Sequence, residues 1–496
     1  MPGNEIVVCT TTADNGVRAY RADGSVLWTS APITSGCFMP SIADIDQDGV
    51  REVIVRSSII NGQTGAVERV LNPANTQYVV VSDVDTDGVL DVVGSGRAYR
   101  ADGTLIVDSG VVGSHPAVGD LDKDGIPEIV SVNHPTHTMS VWHVDANEPG
   151  GYKIIRQAVD INGTINPNPC CAINPNSSGC THGGGPPTIA DFNGDGYPDI
   201  GLAGGIGYVV FDGYQVMSPT VADTDTILWI RQTQDCSSAQ TGSSVFDFDG
   251  DGKAEVVYAD EVTLHIYEGT SPGAPLFETC NTTGTLFEYP LVADVDNDQH
   301  ADIVVASNSY SGLNCAGQKT TGIRIWGDNE GKWVRTRRIW NQHPYHVTNV
   351  EEDGTVPIVE AANYLDTNLN NFRQNVQPRG EFSAPDLVVD VWPKCAGDYG
   401  LYARVRNIGE ASVEPGVIVG FYDGDPSAGG TRLGEATTMQ TLYALGSEDL
   451  LLPLTSEPAG PVYAVVDDGA PPHPWHECRT DNNVSDPGDP ACGTVN

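Results

Sequence analysis

The sequence predicts an all-β protein: a seven-bladed β-propeller followed by an immunoglobulin-like β-sandwich. Three observations lead there. A nine-residue acidic motif occurs six times, each copy lies between short β-branched runs, and helical periodicity is scarce in a chain with 56 Gly and 33 Pro among 496 residues.

The first copy, "DIDQDGVRE" at 44–52, places Asp44, Asp46, Asp48 and Glu52 in nine residues. In a tight loop the side chains at positions 1, 3 and 5 can converge on one point, where their mutual repulsion calls for a cation. Ca2+ accepts about six to eight oxygens from carboxylates, backbone carbonyls and water. On this reading Asp44, Asp46 and Asp48 ligate through side chains, Val50 through its carbonyl, and Glu52 closes the shell. Gly49 supplies the positive φ of the turn. The closing acid comes at position 9 and a strand, "VREVIV", follows, unlike an EF-hand, whose closing Glu stands at position 12.

The same reading applies to the other five copies. It assigns Asp83, Asp85, Asp87, Val89 and Asp91 in "DVDTDGVLD", then Asp120, Asp122, Asp124, Ile126 and Glu128 in "DLDKDGIPE". In "DFNGDGYPD" it assigns Asp191, Asn193, Asp195, Tyr197 and Asp199, with Asn193 a neutral ligand that lowers affinity. "DFDGDGKAE" gives Asp247, Asp249, Asp251, Lys253 and Glu255. "DVDNDQHAD" gives Asp294, Asp296, Asp298, His300 and Asp302, with Gln299 straining the turn where glycine belongs. About six Ca2+ sites are therefore expected.

Apolar segments such as "PSIA", "PTIA" and "PLVA" precede the loops, and "EIVSV" or "DIVVA" follow, so each loop is a hairpin tip. The loops start at 44, 83, 120, 191, 247 and 294, a spacing that indicates a solenoid or propeller. Shorter units contain four strand-like pieces, as expected for propeller blades. "NEIVVCTTT" matches the strand after each loop, giving a seventh unit, first in the chain, that lacks its inner strand and loop. Such an opening exposes sheet edges to other chains. Either residues preceding Met1 or a later segment, "GTVPIVE" (354–360), is expected to complete it.

Loops of the form DxDxDGxxD between strand pairs resemble the FG-GAP or VCBS repeats of integrin-α-like propellers, over roughly residues 1–340. The resemblance implies Ca2+ on one face, holding blades together, through the loop positions named above. "RRIWNQHPYHVTNVEEDGTVP" resembles a segment near the end of bacterial members.

Composition points outward from the cell. With 66 acidic and 25 basic residues the net charge is −41, and six dications would leave about −29, so nucleic acid and anionic membranes are poor partners. No apolar run reaches the ~18 residues of a membrane span, which argues against insertion. Eleven cysteines without a CxxC pair indicate disulfides and an extracellular or cell-surface setting. Expected pairs are Cys170 or Cys171 with Cys180, Cys9 with Cys37, Cys236 with Cys280 or Cys315, and Cys395 with Cys478. Met1 leads almost directly into a strand, so export is inferred from chemistry and not from a signal peptide.

The domain reading is a propeller at 1–340, a polar connector at 341–383, a second domain at 384–486 and a tail at 487–496. Strand-like runs from "DLVVDVWPKC" to "PVYAVVDD" recur at the spacing of an immunoglobulin-like sandwich. "ARVRNIGEASVEPGVIVGFYDGDP" and "ECRTDNN" make this region similar to the CARDB family, a cell-adhesion-related bacterial module, which implies a spacer or assembly role and no catalytic residues.

No HExxH or P-loop motif appears. His343 and His346 in "WNQHPYH" form the best local catalytic or metal candidate, although an aromatic-rich connector more often holds structural histidines. Trp229, Trp326, Trp333 and Tyr208 can stack sugars, yet aromatics at strand spacing are usually core. Sequons at Asn162, Asn176, Asn281 and Asn483 need no functional explanation. The expectation is a calcium-dependent adhesion or assembly protein binding protein or glycan through loops, with self-assembly a further outcome. A lectin-like carbohydrate binder and a polysaccharide lyase on the same scaffold are the alternatives.

Overall fold

The computed structural model describes residues 5–10, 15–33, 36–75, 77–161, 183–270, 273–296, 298, 300–310, 312–329, 331–351, 354–377, 385–409, 413, 415–442, 446–469, 480 and 482–492. Two compact units result: Met1–Val295, Asp302–Trp326 and Arg337–Val376 form the first, and Asp296–Ala301, Gly327–Thr336 and Gln377–Asn496 the second.

The chain is all-β, with separate antiparallel sheets, none closed into a barrel. Sheet 1 holds β1 (Ile6–Cys9), β2 (Val17–Tyr20) and β3 (Val26–Thr29). Sheet 2 holds β4 (Ser41–Ala43), β5 (Glu52–Val55), β6 (Ser58–Asn61) and β7 (Val67–Val70). Sheet 3 holds β8 (Val80–Ser82), β9 (Asp91–Val93), β10 (Arg97–Tyr99) and β11 (Leu105–Asp108). Sheet 4 holds β12 (His115–Gly119), β13 (Glu128–Asn133), β14 (Thr138–Val144) and β15 (Tyr152–Asp160). Sheet 5 holds β16 (Thr188–Ala190), β17 (Asp199–Ala203), β18 (Gly207–Phe211) and β19 (Ile227–Gln232), with a one-turn helix α1 (Gly213–Met217) after β18. Sheet 6 holds β20 (Ser243–Phe246), β21 (Glu255–Ala259), β22 (Thr263–Tyr267) and β23 (Phe277–Cys280). Sheet 7 holds β24 (Leu291–Ala293), β25 (Asp302–Ser307) and β26 (Gly322–Gly327).

Each of sheets 2 to 7 is built the same way around its loop. The residue just before the first acid pairs with the ninth-position acid: Ala43 with Glu52, Ser82 with Asp91, Gly119 with Glu128, Ala190 with Asp199, Phe246 with Glu255 and Ala293 with Asp302. That shared register puts six acidic tips at the same place in six hairpins. The first strands β4, β8, β12, β16, β20 and β24 are neighbours in chain order.

Apolar side chains on both faces of the sheets explain this stacking, since a strand buried on two sides reads as a continuous β-branched run. β5, "EVIV", is buried throughout. Successive clusters bridge consecutive sheets: Val17 and Trp28 pack with Val53 and Ile60, Ile54 with Val92 and Tyr99, and Tyr208 and Trp229 with Val256 and Tyr267. Tryptophan indoles pin the same seams, Trp28 donating to the Gly62 carbonyl at 2.7 Å and Trp229 to that of Gly269 at 2.7 Å. Trp229 and Tyr208 are thus core, not sugar platforms.

The described part of 341–376 runs past the first strands and hydrogen-bonds to them. Gln342 accepts from the Ile42 amide and donates to its carbonyl (2.6 and 3.2 Å), and Asn370 does the same for Asp120 (3.0 and 2.7 Å). Tyr364 donates to the Asp83 carbonyl, Phe372 exchanges backbone bonds with Ile189, and Asn375 donates to the Val292 carbonyl. A polar stretch without period-2 alternation earns its place here because side-chain amides can pair with strand backbone. Asn370→Ala strips both partners from buried Asp120 backbone, and denaturant unfolding should show a loss of about 2 kcal/mol.

In the second unit, β27 (Leu387–Lys394), β28 (Gly400–Asn407) and β31 (Ser447–Pro453) form one sheet. β29 (Ile418–Asp423), β30 (Thr431–Thr437) and β32 (Val462–Val466) form another. Val389, Leu401, Val405, Phe421, Leu450 and Ala464 meet in one core drawn from both sheets. Gly488 pairs with Val462, so residues just beyond 486 continue into this sheet.

Cys9 bonds to Cys37 as expected, but two pairings differ. Cys280 bonds to Cys315, not to Cys236, because Thr282 and Thr320 hydrogen-bond and hold the end of β23 beside the loop before β26. Cys236 is itself disulfide-bonded. Cys395 bonds to Cys492, not Cys478: the Gly488–Val462 pairing and the Tyr399 hydroxyl on the Pro490 carbonyl carry the tail to Cys395. Cys170, Cys171, Cys180 and Cys478 lie outside the described residues, as do Asn162 and Asn176.

Candidate metal centres

The loops owe their shape to their own carboxylates. In five of them the first acid accepts backbone N–H groups from further round the turn, as Asp44 does from Asp48 (3.1 Å) and Gly49 (3.0 Å). Asp83, Asp120, Asp191 and Asp247 repeat this. The fifth-position acid accepts from the residue two further on: Asp48 from Val50, Asp87 from Val89, Asp124 from Ile126, Asp195 from Tyr197, Asp251 from Lys253 and Asp298 from His300. All six ninth-position acids accept the amide of the second loop residue, at 2.9–3.1 Å.

Gly49 has φ +89°, as its place in the turn requires. A second left-handed position went unnoticed in the sequence: Gln47, Thr86 and Lys123, fourth in their loops, have φ of 59–61°. Gly194 and Gly250 at that position in two other loops were the available signal.

Carboxylate oxygens converge. Those of Asp44, Asp46 and Asp48 lie within 4.8 Å of one another, as do those of Asp83, Asp85 and Asp91, of Asp120, Asp122 and Glu128, and of Asp247, Asp249 and Asp251. In the loop at 191 Asn193 replaces a carboxylate and donates to Asp195 at 3.2 Å. The loop at 294 divides between the units, Asp294 and Asp302 falling in the first and Asp296, Asp298 and His300 in the second. Asn297 and Gln299 lie outside the described residues.

Burial sets the electrostatics. Desolvation lifts the closing acids far above the ordinary carboxylate range, Glu52 and Glu128 to about 7 and Asp91, Asp199 and Glu255 to about 8. Asp44, Asp83, Asp120, Asp122, Asp191 and Asp247 also move up by burial. Asp122 Oδ1 is buried with no hydrogen-bond partner. Clustered, dehydrated oxygens of this kind fit a hard dication, which would restore ionisation.

Some loops carry cations of their own, which sequence spacing did not reveal. Arg69 on β7 reaches Asp46 at 2.8 Å and Glu52 at 3.8 Å, Arg100 reaches Asp85 and Asp87, and Lys253 reaches Asp251. His143 Nδ1 lies 3.1 Å from Glu128.

His343 and His346 have separate structural partners. His343 Nε2 lies 3.0 Å from the Phe287 carbonyl and burial depresses its pKa to about 3, while His346 hydrogen-bonds Glu360. Asn281 is fully buried and donates to Ala306, which rules out glycosylation of the folded chain there. Trp326 sits under the Arg324 guanidinium, 4.7 Å from the ring centre. Trp333 is half-buried.

Residues 247–305 match the model of the FG-GAP-like repeat family. The fold is similar to that of the V. cholerae biofilm matrix protein Bap1, at TM-score 0.57 and 16% identity, over 75% of this chain and 82% of Bap1. Smaller likenesses are to a CARDB domain from Pyrococcus furiosus in complex with di-metal ions (TM-score 0.17, 22% identity, 22% of this chain and 90% of that one) and to an Agrocybe aegerita lectin recognising non-reducing terminal N-acetylglucosamine (TM-score 0.34, 15% identity, 67% and 93%). No curated protein matches in sequence. Among the described residues no helix is long and apolar enough to cross a membrane.

Proposed function

We propose that this chain is a secreted or surface-displayed, calcium-dependent adhesion or assembly protein, a seven-bladed propeller followed by an immunoglobulin-like domain, whose loops bind protein or glycan. The observation that carries the reading is the register shared by six hairpins, which sets their acidic tips at the same place in each, with carboxylate oxygens converging in the loops at 44, 83, 120 and 247. Calcium at the thirty assigned loop positions would fix the tips and, through them, the connecting loops. The overall likeness in fold to a biofilm matrix protein supports an adhesive role outside the cell, as do the disulfides.

The test is retention of purified chain on arrays of polysaccharides and bacterial surface proteins, in millimolar calcium and in chelator. Calcium-dependent retention without turnover is the expected result. Release of unsaturated sugar ends would instead establish a lyase, and equal retention in chelator would remove the role of calcium.

A further inference from the structure

A small cavity lies among the first strands of the first unit, lined by Met39, Tyr78, Val80 on β8, His115 on β12, His343 and Arg373 among others. It leaves about 10 Å³ for the centre of a water-sized sphere, which suits one water or one monatomic ion and excludes a phosphate or a sugar. Arg373 decides between those two. The residue is 3% exposed, and its positive charge meets only dipoles and a ring: Nη1 donates to the Pro187 carbonyl, the Tyr289 hydroxyl lies beside it, and the Phe372 ring centre is 4.7 Å from the guanidinium carbon. Its Nε is buried without a hydrogen-bond partner, and among the described residues no carboxylate pairs with it. Burial lowers its pKa to about 10, which leaves it charged at neutral pH. An unbalanced charge away from water is far costlier than an unpaired neutral group, and a water in the cavity would leave it unbalanced.

His115 lines the same space. Its ring stacks on Tyr78 at 4.8 Å, and its Nε2 is buried without a hydrogen-bond partner. Burial, together with the positive charges of His343, Arg373 and His134, holds its pKa well below the ordinary value. In a chain of net charge −41, basic groups have therefore gathered around one enclosed point. Backbone strain marks that point too: Met39 and Arg373, neither a glycine, have φ of 45° and 58°, and such left-handed residues persist only where their surroundings fix them, often at ligand sites. The Arg373 amide donates to the Tyr345 carbonyl at 2.9 Å and its carbonyl accepts from the Val245 amide at 3.2 Å. A backbone clamped on both sides thus brings the guanidinium to the cavity.

We propose that this cavity is an anion site that takes one chloride ion, balanced by the Arg373 guanidinium and hydrogen-bonded by it and by the His115 imidazole. The ion would neutralise the one charge that the surrounding strands leave uncompensated, and would give Arg373 Nε and His115 Nε2 the acceptor that neither has in the protein. Its role is structural: it ties the residues at 343 and 373 to the first strands of sheets 3 and 4. The site stands whether or not the acidic loops bind a cation.

The full chain is held at constant calcium while sodium methanesulfonate is exchanged for sodium chloride at fixed ionic strength. Melting temperature should rise by a few degrees and level off as chloride saturates the folded state. Arg373→Met, which removes the charge and keeps most of the bulk, should lose that response. In crystals of the unsubstituted chain grown with sodium bromide, an anomalous peak should lie within contact distance of Arg373 and His115, a readout independent of how the variant folds. Equal melting in the two salts, a variant that keeps the full response, or bromide found only at the surface overturns the proposal. In the last case the occupant would be water.

Discussion

Chelation should lower the melting temperature of this protein steeply, and the loss should grow with pH. Each dication that binds only the folded state adds about 2.7 kcal/mol when its free concentration is 100-fold above Kd, so several loops together outweigh any single side-chain contact. The pH dependence follows from Glu52, Asp91, Glu128, Asp199 and Glu255, whose folded pKa values burial raises to about 7 or 8. Without metal the folded state then holds more protons than the unfolded one above about pH 4, so stability is fullest at low pH and declines as pH rises through 7 to 8. Calcium needs the ionised forms, so the increment it adds should be small at pH 5 and large at pH 8. Differential scanning calorimetry at both values, with calcium and with EDTA, checks this. Asp46→Ala and Asp249→Ala should each remove one site's share. A melting curve indifferent to chelator at pH 8 would sink the assignment of the loops.

Breaking the Cys395–Cys492 bond should cost the second unit about 4.7 kcal/mol, the chain-entropy value for a loop near 100 residues, since the two cysteines are 97 apart. Few other single changes reach that size in a unit whose core comes from two three-stranded sheets. Cys395→Ser and Cys492→Ser should each show the loss in urea unfolding followed by tryptophan emission, and the double variant should be no weaker than either. Additive losses would mean the two cysteines are not paired.

Why one set of features could be read ahead of the structure and the other could not comes down to range. The acids at 44, 46, 48 and 52 lie within one nine-residue turn, and a turn of that length with glycine at position 6 has few ways to fold. Alternation and β-branched runs marked the flanking strands for the same reason. The counter-ions Arg69 and Arg100 gave no such signal, because they reach their loops from elsewhere in the same sheets, Arg69 from β7 and Arg100 from just after β10.

Cysteine partners were legible only where the chain kept them near. Cys9 on β1 and Cys37 in the segment between β3 and β4 are 28 residues apart, whereas Cys492 reaches Cys395 across 97 residues in a tail that the Gly488–Val462 pairing holds to the sheet. The polar stretch containing Asn370 likewise carried no pattern of its own.

The amino-acid order alone determined an all-β chain with six acidic hairpin tips, since hydrogen-bonding, turn geometry and charge repulsion act over a few residues. Tertiary structure alone decided that Asn370 serves Asp120 from 250 positions away and that Cys395 finds Cys492. Those outcomes depend on which surfaces remain available once the sheets have stacked, and no local stretch encodes that.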